Sequence, residues 1–400
     1  KHGILLAASK CFLILKKKYT MNLKFTFLLF SSLIGLFACS QQADTKPTPE
    51  VPKPETQIKF KLTDFLSENP DLDKAVNDVM SQLDDTAIIA QLIMPAVGKY
   101  GQTQATIEDH INHRIIGGVL MLNGTKSEFT SMISSFEKTN KAIGNLPFLY
   151  SADAEPSLVN RKIAGSTPVK KAAEISSIDE VIKVAHQISS DLNDIGINYN
   201  FAPVVDVAGN ATVGYRGFGS KPGQLIPWSN TFIQETQNKN IIATAKHFPG
   251  HGLVSGDTHA SLQTIDGELK EISNYPELIK EGVLSIMVAH IGVINNKQYN
   301  TNGLPATCSK TIVTDLLKNE LKFKGLIVTD AMNMGGVVNV PQSATKAIAA
   351  GCHIVLMPVD AAKAHNELLA RYKKDKEFKA QVIEAAKHVI RMKICLGLLN

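Results

Sequence analysis

The sequence predicts an α/β protein built as a single (β/α)8 barrel of the TIM type. From about residue 70 to the end, short apolar runs alternate with longer amphipathic stretches. This alternation is typical of parallel strands joined by helices. Eight such units occur within about 330 residues, which fits one barrel domain. Polar residues also cluster at the ends of the apolar runs, where a barrel of this type carries its active site.

The predicted elements follow in chain order. Eight strands are expected at residues 91–97, 117–122, 148–153, 198–205, 241–248, 285–290, 325–330 and 353–358. Apolar residues recur every three or four positions in 182–195 and 379–396, which predicts helices packed on the sheet. A doubly wound sheet is the structural alternative. It is disfavoured because the segment PAVGKYG at 95–101 lacks the glycine fingerprint expected after the first strand.

Charge is distributed unevenly along the chain. The first 38 residues carry six of the 42 lysine and arginine side chains and no acidic residue. The remainder therefore has 36 basic and 37 acidic groups, a formal charge of −1. This balance gives no electrostatic reason to expect a nucleic-acid partner.

Residues 1–38 are predicted to be a leader. From Met21 the chain reads MNLKFTFLLFSSLIGLFAC, with one lysine and an apolar stretch that is short for a membrane span. Residues 21–38 resemble a bacterial lipoprotein signal, which implies cleavage before Cys39 and acylation of its thiol. An ordinary signal peptide that contains a cysteine is the alternative. We expect residues 1–20 to be absent from the mature protein.

A proline-rich linker is predicted after the leader. Residues 39–57 contain Cys39 and then prolines 47, 49, 52 and 54 among polar residues, a composition that favours extended structure. The barrel domain then comprises residues 58–400. We expect a lipoprotein of the cell envelope, anchored to a membrane at Cys39, with its domain facing the periplasm or the cell exterior.

Polar side chains follow five consecutive predicted strands. In barrel order they are Asp153 and Glu155, Asp206 and Arg216, Lys246 and His247, His290, and Asp330. Any one of them alone would more often cap a helix or form a salt bridge. Because these strand ends share one rim of a barrel, the set predicts a binding pocket.

The densest group of reactive side chains is the segment KHFPGHG at 246–252, followed by Asp257, Thr258 and His259. His247 and His251 are four residues apart, which could suggest a zinc pair. The intervening proline and glycine prevent a shared helical face, and no third ligand follows at metalloprotease spacing. We therefore expect no metal and no cofactor. Glycines at 252 and 256 predict a loop that can swing over a bound ligand.

Five motifs occur together and span nearly the whole domain. They are NFAPVVDV (200–207), RGFG (216–219), KHFPGHG with DTH (246–252 and 257–259), PATCS (305–309) and VTDAMNM (328–334). With these motifs the chain resembles glycoside hydrolase family 3, in its single-domain β-N-acetylglucosaminidase branch. The β-glucosidase and β-xylosidase branch is less similar, since its members usually continue into a second α/β domain.

The resemblance implies a retaining mechanism with two displacements. Asp330 would attack the anomeric carbon and form a glycosyl-enzyme. His259 would be the acid/base, supported by Asp257. An imidazole has an ordinary pKa of about 6.5, and a neighbouring carboxylate favours its charged form. A protonated donor for the leaving oxygen is therefore expected near neutral pH.

The resemblance also implies which side chains contact the sugar: Asp153, Arg216, Lys246 and His247. One motif departs from the family. The usual Asp-x-Glu-Gly-Gly-Arg after the third strand is DAEPSL here, at 153–158. Proline fixes φ and Leu158 removes a charge, so we expect a different loop path and a shifted specificity.

Three functions remain open. The first is an exo-β-N-acetylglucosaminidase that acts as a monomer on terminal β-linked N-acetylglucosamine, with peptidoglycan fragments as a candidate substrate. The second is a phosphorylase, because a histidine acid/base does not repel an incoming phosphate as a carboxylate would. The third is a non-catalytic glycan-binding lipoprotein, for which the altered DAEPSL loop is the only support.

Overall fold

The computed structural model describes residues 59–207 and 209–399. The predicted leader (1–38), Cys39 and the linker (39–57) lie outside the described residues, so those assignments stay predictions. Within the described ranges, no helix has both the length and the apolar character needed to cross a bilayer.

The strands of the main sheet are short, parallel and buried. Because helices and loops cover the sheet, its strands read as continuous apolar runs instead of alternating ones. Together with smaller pairs, the strands are β1 (Ile93–Met94), β2 (Ala96–Val97), β3 (Gly118–Met121), β4 (Gly124–Thr125), β5 (Leu149–Ala152), β6 (Ile163–Ala164), β7 (Tyr199–Asn200), β8 (Ile242–Phe248), β9 (Gln263–Asp266), β10 (Ser285–Val288), β11 (Ile291–Ile294), β12 (Leu326–Thr329) and β13 (Val355–Leu356).

The sheet departs from the predicted closed barrel. Seven strands form one parallel sheet in the order β12-β10-β8-β7-β5-β3-β2, and β1 pairs with β13 in a separate parallel sheet. Pro95 divides β1 from β2 and has no N–H to donate to a ladder. On the other side, an isolated bridge between Val328 and Ile354 and a few backbone hydrogen bonds join β12 to the segment of β13, without a regular ladder. Each predicted run contains a strand, but the ladder is not continuous.

Helices connect the strands and lie between them in sequence. They are α1 (Pro70–Ser81), α2 (Asp85–Ala90), α3 (Gln104–Asn112), α4 (Lys126–Ala142), α5 (Val159–Lys162), α6 (Ile178–Ile195), α7 (Pro222–Gln237), α8 (Tyr275–Lys280), α9 (Ser343–Ala350), α10 (Ala361–Tyr372) and α11 (Lys376–Cys395). Short 3₁₀ segments occur at Leu62–Asp64, Ala172–Glu174, Lys270–Asn274 and Ala306–Cys308, and a π-helix at Thr311–Glu320.

Both predicted helices are present, with earlier starts than the apolar pattern indicated. The Ser177 side chain accepts a hydrogen bond from the backbone of Glu180 and caps α6. Asp375 likewise accepts from the backbone of Phe378 at the start of α11. Side-chain capping of free N–H groups fixes the first turn, so polar residues extend each helix beyond its apolar stripe.

Two small parallel pairs that were not predicted lie beside the rim. β9 pairs with β11, and β4 pairs with β6. β9 begins four residues after His259, and β11 begins directly after His290. The loop that carries His259 therefore starts at the end of β8 and ends in a paired strand, which restricts its position.

Candidate active site

A cavity of about 400 Å³ collects the predicted site residues. Six of the seven predicted site residues in the described ranges line it, and Asp257 contacts the cavity only through His259. The six come from four different strand ends and one loop. They are Asp153, Arg216, Lys246, His247, His259 and Asp330.

A buried ion network forms one wall of this cavity. Lys246, at the end of β8, has a side chain that is 1% exposed. Its Nζ lies 2.7 Å from Asp153 Oδ1 and 2.6 Å from Glu155 Oε1. Arg216 donates to both oxygens of Glu155, through Nε at 2.8 Å and Nη2 at 2.6 Å. Buried charges are tolerated when they are paired and hydrogen-bonded in this way.

The network stays charged at neutral pH. Burial alone would raise the pKa of Glu155, but Arg216 and Lys246 lower it to about 2. Burial likewise opposes ionisation of Asp153, and the adjacent lysines hold its pKa well below the usual range. For Lys246, burial lowers the pKa and the two carboxylates raise it above its ordinary value. Fixed charges of this kind can form hydrogen bonds with the polar groups of a ligand without rearrangement.

His247 is oriented by Asp206. Its Nδ1 lies 2.6 Å from Asp206 Oδ2. Burial would raise the pKa of Asp206, but the interaction with His247 outweighs this effect and lowers the pKa below its ordinary value. An ionised carboxylate can only accept, so Nδ1 carries the proton and Nε2 can accept from a ligand. The β8–β10 ladder passes from Lys246 to Phe248, which leaves His247 outside the pairing.

Asp330 directly follows β12 at the cavity wall. Its backbone N–H donates to Val288 at 2.9 Å, and its Oδ1 accepts from the backbone of Ala331 at 2.8 Å. Burial would raise its pKa, but His247 and His290 lower it below the ordinary value. The half-buried carboxylate is therefore ionised at neutral pH, as a nucleophile must be.

His259 and Asp257 form a pair on the loop between β8 and β9. His259 Nδ1 lies 2.6 Å from Asp257 Oδ1, and its backbone N–H donates to the same oxygen at 2.9 Å. Burial would raise the pKa of the Asp257 carboxyl, but these two hydrogen bonds outweigh that effect and lower it. Nδ1 therefore donates to a carboxylate, and Nε2 is the ring atom available for proton transfer.

The His259 loop is docked on the segment that follows Asp330. Backbone N–H groups of Gly335 and Gly336 donate to the carbonyls of His259 and Thr258, at 3.0 and 2.9 Å. His251 Nε2 also lies 2.9 Å from the Thr258 hydroxyl. These bonds place His259 at the cavity that Asp330 lines. Swinging of the loop stays a prediction.

Glycines permit this close approach of backbones. A Cβ on Gly335 would lie 2.3 Å from the carbonyl oxygen of Ala260. A Cβ on Gly252 would lie 2.2 Å from the carbonyl oxygen of Val207. Both separations are shorter than van der Waals contact, so any larger residue would displace the loop.

Sequence reasoning missed two residues that hold the site together. Lys162, on α5, has its Nζ 2.6 Å from Asp153 Oδ2. Glu271 accepts backbone hydrogen bonds from Val207 at 2.6 Å and Gly252 at 2.8 Å, and burial raises its pKa to about 7. Neither residue lies in a predicted strand or recognised motif, so only their three-dimensional positions identify them.

Two groups of histidines lie close enough together to be candidates for metal binding. His247 is engaged by Asp206 and His251 by Thr258. Among the residues that the structure describes, the ligand atoms of His353, Glu384 and His388 lie within 4.8 Å of one another, outside the cavity. The ammonium of Lys318 already contacts this group, because its Nζ lies 3.0 Å from His353 Nε2. This arrangement fits an ion cluster better than a metal centre.

Comparison with known proteins agrees with the fold and the cavity. The Glycosyl hydrolase family 3 N terminal domain matches residues 85–392. Beta-hexosaminidase A of Pseudoalteromonas piscicida is 36% identical over 196 residues, which is 44% of this chain and 33% of that protein. The chain thus spans about a third of that relative's length. Beta-hexosaminidase of Methylobacillus flagellatus is 29% identical over 296 residues, 68% of this chain and 82% of that protein.

A solved structure extends the comparison. The crystal structure of beta-N-acetylhexosaminidase from Beutenbergia cavernae has 25% identity and a TM-score of 0.70, over 77% of this chain and 98% of that one. Fold, cavity and matches together define a glycoside hydrolase. The chain belongs to glycosyl hydrolase family 3.

Replacing Gly335 by alanine tests the docking of the loop. The added Cβ would push Ala260 and with it His259 away from the cavity, and a displacement of about 1 Å costs roughly 100-fold in rate when catalytic groups are misplaced. We expect kcat on a β-N-acetylglucosaminide to fall by about that factor, with a change in melting temperature of only a few degrees. Gly223→Ala is the control, since a Cβ there meets nothing within 4 Å. Equal activity of the two variants would contradict the docking role.

Proposed function

We propose that this protein is a retaining exo-β-N-acetylglucosaminidase that hydrolyses terminal β-linked N-acetylglucosamine. The observation that carries the proposal is that the Asp330 carboxylate and the His259–Asp257 pair meet at one cavity. The names of the relatives, which are hexosaminidases, favour an N-acetylated sugar. The ion network of Lys246 supplies donors and acceptors for its hydroxyl groups.

The first displacement would form a glycosyl-enzyme. Asp330 attacks the anomeric carbon, and the bond between that carbon and the leaving oxygen breaks. His259 Nε2 gives its proton to the leaving oxygen and becomes neutral. Asp257 stabilises the protonated ring before transfer and keeps the ring oriented throughout.

The second displacement would return the enzyme to its starting state. Neutral Nε2 of His259 accepts a proton from a water molecule, whose oxygen attacks the anomeric carbon. The bond to Asp330 breaks and its carboxylate is restored. The sugar leaves with the β configuration it had in the substrate, because each displacement inverts the anomeric centre.

The Asp330→Asn variant tests the nucleophile. An amide cannot replace the carboxylate in the first displacement, so hydrolysis of an aryl β-N-acetylglucosaminide should fall by on the order of 10⁴-fold. Asp315→Asn, at an exposed position outside the cavity, should keep wild-type activity. Retained activity of Asp330→Asn would contradict the mechanism.

The same assay separates the alternatives. Wild-type enzyme incubated with inorganic phosphate should still release free N-acetylglucosamine, whereas a sugar 1-phosphate would indicate phosphorolysis. Sugar binding without any turnover by the wild type would favour a non-catalytic glycan-binding protein.

The His259→Ala variant tests the acid/base. An aryl leaving group needs little protonation, whereas the oxygen of a disaccharide leaves poorly as an alkoxide. Single-turnover release of aglycone should therefore fall about 100-fold more for a disaccharide than for the aryl glycoside. Asp257→Asn should show the same preference more weakly. Equal losses on both substrates would contradict an acid/base role.

We also propose that the protein is an envelope lipoprotein whose natural substrate is a β-N-acetylglucosamine glycan, with peptidoglycan fragments as the first candidate. The support is the sequence of residues 21–57, where the apolar stretch, Ala38-Cys39 and the proline-rich linker follow in order. Acylation at Cys39 would hold the domain at a membrane surface.

Replacing Cys39 by serine tests the anchor. In a bacterial host, the full chain should incorporate labelled fatty acid and sediment with membranes, and the variant should do neither. The acyl chains attached through the Cys39 thiol would bind the membrane by burying many methylene groups. Loss of the thiol should therefore release the protein from the membrane. Cys308→Ser is the control, since Cys308 is buried in the folded domain. Unchanged labelling of Cys39→Ser would contradict the lipoprotein assignment.

A further inference from the structure

Asp153 is held between two lysines. Lys246 Nζ lies 2.7 Å from its Oδ1, and Lys162 Nζ lies 2.6 Å from its Oδ2. Lys162 and Asp153 have side chains that are 17% and 18% exposed, and both line the cavity. Lys162 is therefore part of the cavity wall and not a surface residue that happens to pair with an acid.

The local backbone explains how Lys162 reaches Asp153. The N–H groups of Leu158 and Val159 both donate to the carbonyl of Glu155, at 3.0 and 2.9 Å, which turns the chain sharply within the DAEPSL segment. The single turn of α5 follows, and the Lys162 N–H donates to the Leu158 carbonyl at 2.9 Å. Residues four apart on a helical turn lie on the same side. Leu158 also lines the cavity, so positions 158 and 162 face the same space.

We propose that Lys162 is a positioning residue that supplies the cation missing at position 158 and fixes Asp153 for sugar binding. This inference rests on the proposed function of the cavity. The motif that this chain resembles has arginine at the position of Leu158, and the charge is provided here from one helical turn further along the chain. Lys162 acts on substrate through Asp153.

The change from arginine to lysine has a chemical consequence for the site. A guanidinium can occupy both oxygens of a carboxylate with its planar fork, whereas an ammonium is a point donor. With one lysine at each oxygen, both Asp153 oxygens keep a further lone pair for sugar hydroxyls. The carboxylate plane is fixed from both ends, which restricts its rotation and defines the direction of those lone pairs.

Lys162→Met removes the cation while keeping a long side chain. Asp153 would still pair with Lys246, but its second oxygen could rotate away. We expect kcat/KM for the aryl β-N-acetylglucosaminide to fall roughly tenfold, the scale of one charge-assisted hydrogen bond, mainly through KM. Lys162→Arg should remain within about threefold of wild type. Lys126→Met is the matched control, since it breaks a partly buried lysine bridge to Asp191 and Asp194 away from the cavity.

Two double variants distinguish positioning from a purely structural role. In an Asp153→Asn background, Lys162→Met should have no further effect on kcat/KM, because its partner carboxylate is already gone. Leu158→Arg combined with Lys162→Met should recover most of the lost kcat/KM, with thermal unfolding used to verify folding. Additive losses in the first pair, no recovery in a folded second pair, or a Lys162→Met enzyme equal to wild type would each overturn the proposal.

Binding measurements keep this test separate from the test of function. The dissociation constant of N-acetylglucosamine, measured by calorimetry on the wild type and Lys162→Met, should rise roughly tenfold in the variant. A wild type that does not hydrolyse would refute the proposed function, and the affinity ratio would still test Lys162. An unchanged dissociation constant in an active enzyme would refute only the role of Lys162.

Discussion

The site depends on the requirement that the buried ammonium of Lys246 be neutralised. Burying this ammonium without a partner would cost several kcal/mol. The carboxylates of Asp153 and Glu155 offset that cost by pairing with it. Glu155 in turn is shared with Arg216. The segments after β5, after β7 and at the end of β8 are therefore tied together by charge. Their relative placement determines the shape of this wall of the cavity.

A second constraint joins the two halves of the proposed chemistry. Asp330 follows β12, and His259 lies on a loop between β8 and β9, so the strand ladder alone does not bring them together. The backbone bonds from Gly335 and Gly336 to the His259 loop provide that link. They are possible because neither glycine has a Cβ that would strike the loop. The absence of a Cβ at these two glycines is therefore as important for assembling the site as the reactive side chains are.

The sequence predicted the features that depend on residues close together in the chain. It missed features that depend on contacts between distant segments. Apolar runs located a strand in all eight expected places, because strand-forming patterns are local. Five of the polar residues at the ends of those runs line the cavity: Asp153, Arg216, Lys246, His247 and Asp330. The β9–β11 pair and the partners of Lys162 and Glu271 depend on contacts between distant segments. No local pattern in the chain specifies them. The family resemblance added the roles of Asp330 and His259, which composition and spacing did not distinguish from capping residues.

Asp330 and His259 differ in solvent exposure, and this difference is consistent with the different roles proposed for them. Asp330 is half-buried. Burial would raise its pKa, but His247 and His290 lower it, so the carboxylate is ionised. His259 has a side chain that is 61% exposed, which allows its ring to exchange protons with solvent between the two displacements. Asp257 keeps Nδ1 protonated in both states, so only Nε2 changes. The proposed mechanism therefore assigns the attack to the more buried, ionised group and the proton transfers to the more exposed one.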